Sequence, residues 1–217
     1  MRAIIFANGE FKDVQRARDL LRADDLLIAV DGGTRHAWEV GVDPQRVIGD
    51  LDSLTPAERD RLRSTGAQIM SVPPRKDETD LELALLYAAS AGAESIVVLA
   101  ALGGRLDQTI ANLLLLALPE LHGIDVRVVE GPQVAFLIRD EAIIEGQPGD
   151  TVSFIPLGGD ADGVITEGLE WGLDGETLHF GPARGVSNVL TLPQASVRVR
   201  QGLLLCVVTH ASEVRGG

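Results

Sequence analysis

Two aspartates, Asp50 and Asp52, follow the short apolar run at residues 46–48 and are set off from it by Gly49. In an extended backbone, residues two positions apart point to the same side, so both carboxylates would face one point. Such a pair suits magnesium, which proteins usually hold through one or two carboxylates together with substrate phosphates. A solvated turn explains this segment equally well when it is considered alone, because Gly, Asp and Ser commonly form turns.

Further segments with comparable chemistry follow other apolar runs. They are Asn8-Gly9, Asp31-Gly32-Gly33, the segment from Arg75 to Asp80 and the segment from Gly103 to Gln108. Ligands of open parallel sheets bind at the carboxyl ends of the strands, so all five strand-to-helix loops are predicted to meet at one edge. The glycine pairs would open helices whose free N–H groups bind phosphate, although glycines in such turns often serve only close packing or a positive φ.

The charges predicted at this edge favour a metal and nucleotide site. Lys76 and Arg105 would add positive charge there. The negative charges would come from Asp31, Asp50, Asp52, Asp77 and Asp80. Carboxylates held this close repel one another unless they are paired or bound to metal. Separate helix caps would account for one or two of the aspartates, whereas a divalent cation with a polyphosphate accounts for all five.

The first 130 or so residues alternate apolar runs with helical patterns, which predicts βαβ units and a parallel, Rossmann-like sheet of about six strands. The predicted strands are 3–7, 26–30, 46–48, 67–72, 95–100 and 125–129, and the predicted helices are 14–22, 34–40, 56–64, 80–91 and 106–118. Two helix starts fit a capping box, Thr55 with Glu58 and Thr79 with Glu82. Thr79 and Glu82 are therefore structural by default.

The pattern changes near residue 131, which predicts an α/β domain at 1–131 and an all-β domain at 132–217. The predicted short strands of the second domain are 134–138, 142–144, 151–155, 163–167, 176–180, 189–192, 197–200 and 203–208. They indicate a sandwich or an open barrel. Trp171, Ser187 and Asn188 are the residues of this domain with binding chemistry, since an indole face can hold a cation or a flat heterocycle. Trp38 is assigned to the core.

Composition narrows the class of protein. The 217 residues include 19 basic and 32 acidic side chains, a formal charge of −13 that disfavours nucleic acid and anionic membranes as partners. No signal peptide pattern and no apolar run of about 18 residues is found, so a cytoplasmic protein is expected. The single cysteine, Cys206, lies in an apolar run and is predicted to be buried.

The ordered set of motifs resembles the thiamine pyrophosphokinase family over nearly the whole chain. The motifs are Asp31-Gly32-Gly33, Gly49-Asp50-Leu51-Asp52-Ser53, the run from Lys76 to Leu85, the run from Gly103 to Gln108, and Ser187-Asn188. The resemblance implies transfer of a diphosphate group from ATP to the hydroxyl of thiamine, which gives thiamine diphosphate and AMP. It also implies magnesium dependence and a homodimer with sites between the α/β domain of one subunit and the β domain of the other.

Roles follow from the matching motifs as implications of the resemblance. The catalytic set is Asp50, Asp52, Asp77, Asp80 and Lys76, and the magnesium set is Asp31, Asp50, Asp52 and Asp77. The nucleotide set is Asp31, Gly32, Gly33, Gly103, Gly104, Arg105, Asp107 and Gln108. The thiamine set is Trp171, Ser187, Asn188 and Thr79.

Two positions depart from the family pattern, and two other functions compete with this one. Bacterial members often have histidine in place of Gln108 and an acidic residue in place of Val189. The first competing function is a magnesium-dependent phosphohydrolase with Asp50 as nucleophile and Asp52 as acid, although such a nucleophile usually follows the first strand. The second is a non-catalytic nucleotide or thiamine binder, which would not need so many metal-seeking carboxylates.

Overall fold

A computed structural model describes residues 1–72 and 77–211. By its contacts the chain divides into two compact units, unit 1 (Met1–Gly131) and unit 2 (Pro132–Gly217). None of the helices within the described ranges is long and apolar enough to cross a membrane.

Unit 1 alternates strands and helices in the predicted order. Its strands are β1 (Arg2–Phe6), β2 (Leu26–Val30), β3 (Arg46–Gly49), β4 (Gln68–Ser71), β5 (Ser95–Leu99) and β6 (Asp125–Glu130). Its helices are α1 (Val14–Leu20), α2 (Gly33–Val40), α3 (Pro56–Thr65), α4 (Asp80–Ser90) and α5 (Leu106–Leu114). The strands pair in parallel in the order β6-β5-β1-β2-β3-β4.

Chain order in this sheet reverses between β1 and β5. β2, β3 and β4 follow β1 on one side, and the chain then crosses through α4 to β5 on the other side of β1. A crevice forms at such a switch point, outside the carboxyl ends of the strands. The register keeps these ends level, because Phe6 of β1 pairs with both Ala29 of β2 and Leu99 of β5.

The middle strands of unit 1 form its core, as expected for parallel strands covered on both faces. Ile4 and Ile5 of β1 and Ile28 of β2 are completely buried, and each such side chain contributes about 1.5–3 kcal/mol of burial free energy. α3 begins with the predicted capping box, in which Thr55 accepts from the Glu58 N–H and Glu58 accepts from the Thr55 N–H. Thr79 caps α4 by accepting from the Glu82 N–H at 3.1 Å.

The predicted helix 106–118 was too long. α5 ends at Leu114, and 3₁₀ turns follow at Leu115–Ala117 and Pro119–Leu121. Pro119 disfavours the α conformation at the residue before it, so the chain tightens and leaves the helix.

Unit 2 contains two antiparallel sheets. The first, in the order β12-β9-β14-β7, comprises β7 (Gln133–Ile138), β9 (Thr151–Pro156), β12 (Asn188–Val189) and β14 (Leu204–Thr209). The second, in the order β11-β10-β13-β8, comprises β8 (Glu141–Glu145), β10 (Ala161–Glu167), β11 (Asp174–Leu178) and β13 (Gln194–Arg198). Inward side chains of both sheets, including buried Cys206, form one shared core cluster. Of the two predicted arrangements, this is the sandwich.

The predicted strand 189–192 is shorter than expected. β12 covers only Asn188–Val189, because the chain reaches the start of β9 at Leu190 and then pairs with the segment of Gly168. Leu190 donates to the Asp150 carbonyl and Thr191 donates to the Gly168 carbonyl, both within hydrogen-bonding distance. The ladder with β9 therefore stops after two residues.

Candidate active site

A cavity of about 640 Å³ opens at the carboxyl ends of β1, β2 and β5 in unit 1. Its lining residues come mainly from the loops that follow these strands and from the start of α4. They are Ala7, Asn8, Gly9, Glu10, Val30, Asp31, Glu78, Thr79, Asp80, Leu81, Ala101, Gly103, Gly104, Arg105, Gln108 and Asn112. The cavity therefore lies at the switch point of the sheet, where an α/β fold binds its ligands.

Asp31, at the end of β2, is the electrostatic centre of this edge. Its Oδ1 accepts the Leu51 N–H at 3.2 Å, and its carboxyl group shares a hydrogen bond with Asp80. Burial, that hydrogen bond and the negative charges of Asp80 and Asp50 raise the pKa of Asp31 to about 7. The strands thus bring together three of the predicted aspartates in an arrangement that disfavours full ionisation.

The backbone is strained around this carboxyl group. Three non-glycine residues adopt positive φ angles just after strands: Asp31 at 44°, Leu51 at 60° and Ala100 at 55°. Each such conformation costs on the order of 1–3 kcal/mol and persists only where the surrounding structure imposes it. These residues follow β2, β3 and β5, so the strain collects at the candidate site.

The glycines near Asp31 serve close packing. A Cβ at Gly49 would overlap Asp31 Oδ1, and Gly49 also has a φ of 147°. A Cβ at Gly32 would overlap the Asn8 side chain, and one at Gly33 would overlap the Phe6 carbonyl oxygen. Gly32 and Gly33 are buried and are not among the residues lining the cavity. Their geometry matches the packing alternative more closely than a phosphate contact.

The loop after β5 lines the cavity with glycines in positive φ, Gly103 at 85° and Gly104 at 70°. The Gly103 N–H donates to Thr109 Oγ1 at 3.2 Å, and the Gly104 N–H donates to Glu10 Oε1 at 3.0 Å. A hydrogen bond from Lys12 and the bond from the Gly104 N–H lower the pKa of Glu10. The carboxylate of Glu10 therefore already accepts a hydrogen bond from the Gly104 N–H, a group that could otherwise bind an anionic ligand.

Two residues of the predicted nucleotide set pair with each other. Arg105 donates to Asp107 at 2.6 Å, and both side chains are mostly exposed. Asp107 also accepts the Gln108 N–H at 2.9 Å, at the start of α5. Arg105 and Gln108 line the cavity, whereas Asp107 is absent from the lining residues among those described.

Asp50, Asp52 and Asp77 of the predicted acidic set are not among the described residues that line the cavity. Asp52 is exposed, and its N–H donates to Asp50 Oδ1 at 2.9 Å. Asp77 is also exposed, whereas Thr79 and Asp80 line the cavity. Lys76 lies outside the described residues. Across residues 1–72 and 77–211, no group of three or more His, Cys, Asp or Glu side chains is close enough together to hold a metal ion.

Sequence reasoning gave no role to three polar side chains of this cavity, Glu10, Glu78 and Asn112, although Glu78 lies in the predicted segment from Arg75 to Asp80. Asn112, on α5, donates to the Ala101 carbonyl at 2.6 Å and so fixes the loop after β5. Glu10 follows Asn8-Gly9 in the loop after β1, and that position in a strand-to-helix loop was the one available signal.

Unit 2 has its own cavity of about 570 Å³. It is lined by Phe154, Trp171, Gly172, Leu173, Ala183, Arg184, Gly185, Val186 and Asn188. The Trp171 side chain is prominent, with 58% of its surface exposed. Arg184 is the charged member of this lining in the described part of the chain, and it forms an ion pair with Glu176.

The other two residues predicted to bind a ligand in unit 2 occupy different environments. Ser187 is exposed, has a φ of 64° and donates its N–H to Ser153 Oγ at 3.0 Å. It is not among the described lining residues. Asn188 is buried and lines the cavity, and its amide bonds to the main chain of Trp171.

Comparison with known proteins gives consistent matches for both units. The family model described as "Thiamin pyrophosphokinase, catalytic domain" matches residues 17–128, and the one described as "Thiamin pyrophosphokinase, vitamin B1 binding domain" matches residues 141–204. The chain is 28% identical over 184 residues to thiamine pyrophosphokinase of Bacillus subtilis, covering 84% of this chain and 86% of the relative.

Solved structures agree with these matches. The crystal structure of thiamine pyrophosphokinase from Bacillus subtilis has a TM-score of 0.86 and 25% identity, covering 97% of this chain and 99% of the other. The crystal structure of yeast thiamin pyrophosphokinase has a TM-score of 0.76 and 17% identity, covering 98% of this chain and 87% of the other, and it supports the fold alone.

Proposed function

Because the chain belongs to the thiamine pyrophosphokinase family, it transfers a diphosphate group from ATP to thiamine, and we propose that the two cavities divide this task. The cavity of unit 1 holds the nucleotide and the reacting groups, and the cavity of unit 2 holds thiamine. The observation that carries this proposal is the group of Asp31, Asp50 and Asp80 at the carboxyl edge of a parallel sheet, where Asp31 and Asp80 line the cavity and the charge of Asp50 acts on Asp31. The family assignment does not favour the phosphohydrolase or the non-catalytic binder.

The residues of the carboxylate edge fit a magnesium ion. Asp31 and Asp50 supply oxygen donors, and a bound cation would remove the repulsion that raises the pKa of Asp31 to about 7. Asp52 and Asp77 complete the proposed magnesium set. Magnesium, when bound, would neutralise charge on the phosphate oxygens. Substrate phosphates would supply further oxygen donors, so the described carboxylates need not form a complete metal site on their own.

The reaction joins the hydroxyl oxygen of thiamine to the β-phosphorus of ATP. As this bond forms, the bond from the β-phosphorus to the oxygen that bridges to the α-phosphorus breaks, and AMP leaves with that oxygen. The hydroxyl proton passes to a base. Asp80, which lines the cavity beside Asp31, is better placed than exposed Asp77 to orient the hydroxyl and accept its proton.

Positive groups of unit 1 complete the proposed nucleotide site. Arg105 lines the cavity and would exchange its ion pair with Asp107 for a phosphate oxygen. Gly104 would likewise exchange the carboxylate of Glu10 for a phosphate oxygen at its N–H. Gln108 would contact the nucleotide, and Lys76 would meet charge that develops on the phosphates. The Rossmann-like description of unit 1 is supported by its parallel strand order.

In unit 2, an exposed indole beside an apolar cavity suits the rings of thiamine. Trp171 would stack on them, and a cationic thiazolium ring gains from contact with an indole face. Ser187 would contact thiamine from the rim of this cavity, and Thr79 is a further proposed thiamine contact.

The decisive assay follows the products of ATP that carries radiophosphorus in either the α or the β phosphate. We expect the α label in AMP and the β label in thiamine diphosphate, in equal amounts, only when thiamine and magnesium are both present. ADP with thiamine monophosphate would overturn the proposed transfer. Phosphate release without thiamine would indicate the phosphohydrolase, and ATP binding that is independent of magnesium, without turnover, would indicate the binder.

The homodimer and the cytoplasmic location are further parts of the proposal. A dimer whose sites combine unit 1 of one subunit with unit 2 of its partner predicts complementation between two variants impaired in different units, assayed with thiamine well below the KM of the Trp171→Ala variant. Asp50→Asn and Trp171→Ala chains, coexpressed with different tags and purified through both, would regain about a quarter to a half of normal activity. No gain over either variant alone would contradict the shared site.

A further inference from the structure

The segment that carries Trp171 runs beside β12 and is joined to it by main-chain hydrogen bonds. Thr191 N–H donates to the Gly168 carbonyl at 3.0 Å, and Glu170 N–H donates to the Val189 carbonyl at 3.0 Å. These bonds form a short ladder that leads toward Trp171. In this register residue 188 lies opposite Trp171, but the main chain of Asn188 pairs with Val152 of β9 and not with the Trp171 segment.

The side chain of Asn188 supplies the next rung of this ladder. Its Oδ1 accepts the Trp171 N–H at 3.1 Å, and its Nδ2 donates to the Trp171 carbonyl at 2.7 Å. A side-chain amide has the same donor and acceptor as a peptide group. Asn188 therefore takes the place of a strand residue and binds both backbone groups of Trp171.

Little hydrogen-bonding capacity of this amide is left for a ligand. Asn188 is only 7% exposed, and its Oδ1 also accepts the Val189 N–H at 2.9 Å. An asparagine amide has two acceptor positions and two donor hydrogens. Both acceptor positions and one donor are in use within the protein.

We propose that Asn188 is a positioning residue that acts on thiamine through Trp171. It fixes the main chain of Trp171 while leaving the indole exposed beside the cavity of unit 2. This inference rests on the proposed function, because it takes thiamine to be the ligand of that cavity. The reading differs from the direct thiamine contact that the sequence predicts for Asn188.

A double-mutant cycle distinguishes positioning from direct contact. We expect Asn188→Ala to raise the KM for thiamine about tenfold, with kcat and the KM for ATP within about twofold of the parent. In a Trp171→Ala background, the same change should have almost no further effect, because the side chain that it positions is gone. An additive loss in the double variant, or an unchanged KM in the single variant, would overturn the proposal.

Two further variants test the chemistry of the contact. Asn188→Asp keeps the shape but sets a carboxylate oxygen against the Trp171 carbonyl, so it should raise the KM for thiamine at least as much as Asn188→Ala. Thr166→Val is the matched control, since Thr166 is 6% exposed and its hydroxyl accepts the Leu173 N–H of the same segment at 2.9 Å. If Thr166→Val raised the KM for thiamine as much as Asn188→Ala, Asn188 would act only by stabilising this segment in general. That result would contradict a positioning role.

Fluorescence separates this inference from the function on which it rests. In a Trp38→Phe background, Trp171 is the single tryptophan of the chain. Without any ligand, Asn188→Ala should lower the fluorescence anisotropy of Trp171 and increase its quenching by acrylamide, and Thr166→Val should change neither. Unchanged signals would overturn the positioning role. A fluorescence change in a protein whose parent form lacks thiamine-dependent turnover would reject the proposed function alone.

Discussion

The two cavities have similar volumes, about 640 Å³ in unit 1 and about 570 Å³ in unit 2, but they are built by opposite means. In unit 1, neighbouring carboxylates repel one another and three non-glycine residues have positive φ angles. In unit 2, apolar side chains line the cavity and a buried amide satisfies the main chain of Trp171. Under the proposed function, the cavity of unit 1 therefore suits added charge, whereas the cavity of unit 2 suits a flat ring.

Removing one charge from the edge of unit 1 is the strongest way to break this comparison. We expect Asp50→Asn to lower kcat by about 100-fold or more, because the carboxylate is proposed to hold the metal that neutralises the phosphates. Circular dichroism should show an intact fold. Asp24→Asn is the control, since exposed Asp24 lies just before β2, at the opposite end of that strand from Asp31. Full turnover in Asp50→Asn would contradict the metal assignment.

Closing the space beside Asp31 would show how tightly the edge of unit 1 is packed. Gly49→Ala would drive a Cβ into the Asp31 carboxylate, so we expect a loss of about 2–3 kcal/mol in the free energy of unfolding. Gly66→Ala is a matched control, because Gly66 has a φ of 78° but no atom within 4 Å of its added Cβ. That control should lose only about 1 kcal/mol. Denaturant unfolding measures both, and equal losses would show that the contact with Asp31 does not matter.

Truncating the indole tests the other side of the comparison. Trp171→Ala should raise the KM for thiamine about 5- to 30-fold, which corresponds to about 1–2 kcal/mol of lost stacking. The KM for ATP should stay unchanged, and Trp171→Phe should recover part of the loss. Steady-state kinetics with each substrate varied in turn measures both constants. A rise in the KM for ATP equal to the rise in the KM for thiamine would contradict a role of Trp171 in binding thiamine alone.

The smallest predicted effect tests the repulsion among carboxylates at Asp31, the electrostatic feature that distinguishes the cavity of unit 1 from that of unit 2. The pKa of Asp31, raised to about 7, means that the folded protein holds a proton there between about pH 4 and pH 7 that the unfolded chain has released. Stability from this group is therefore present at low pH and is lost as the pH rises through 7. With a chelator present, Asp31→Asn should raise the free energy of unfolding by about 1 kcal/mol at pH 8, a value reduced for partial solvent screening. At pH 4 the same variant should leave the free energy of unfolding unchanged. Thermal melts at both pH values test this, and equal shifts would contradict it.

Local rules explain which parts of the fold were predictable. The apolar run at 26–30 matches β2, and the capping box at Thr55 was found as predicted, because each depends on residues only a few positions apart. The predicted C-terminal end of α5 was wrong because it depends on Pro119. The predicted extent of β12 was wrong because it depends on pairing with segments distant in the chain. Cys206 is buried as predicted because its neighbours are apolar.

The candidate site was predictable only at the level of its loops. The meeting of strand ends at one edge follows from parallel order, which placed Asp31, Asp80 and the loop after β5 around a single cavity. The pairing of Asp31 with Asp80, the bond from Gly104 to Glu10 and the bond from Asn188 to Trp171 join residues far apart in the chain. No local pattern specifies such contacts, so sequence reasoning left them open.

The division of labour between the two cavities is tested most directly by titrating thiamine into the Asp50→Asn variant. The titration follows the fluorescence of Trp171 in a Trp38→Phe background, so it reports the cavity of unit 2 independently of turnover. We predict a dissociation constant for thiamine within about twofold of the parent protein, although the variant has lost nearly all catalysis. A thiamine affinity that falls in step with the loss of kcat would contradict the assignment of thiamine binding to the cavity of unit 2.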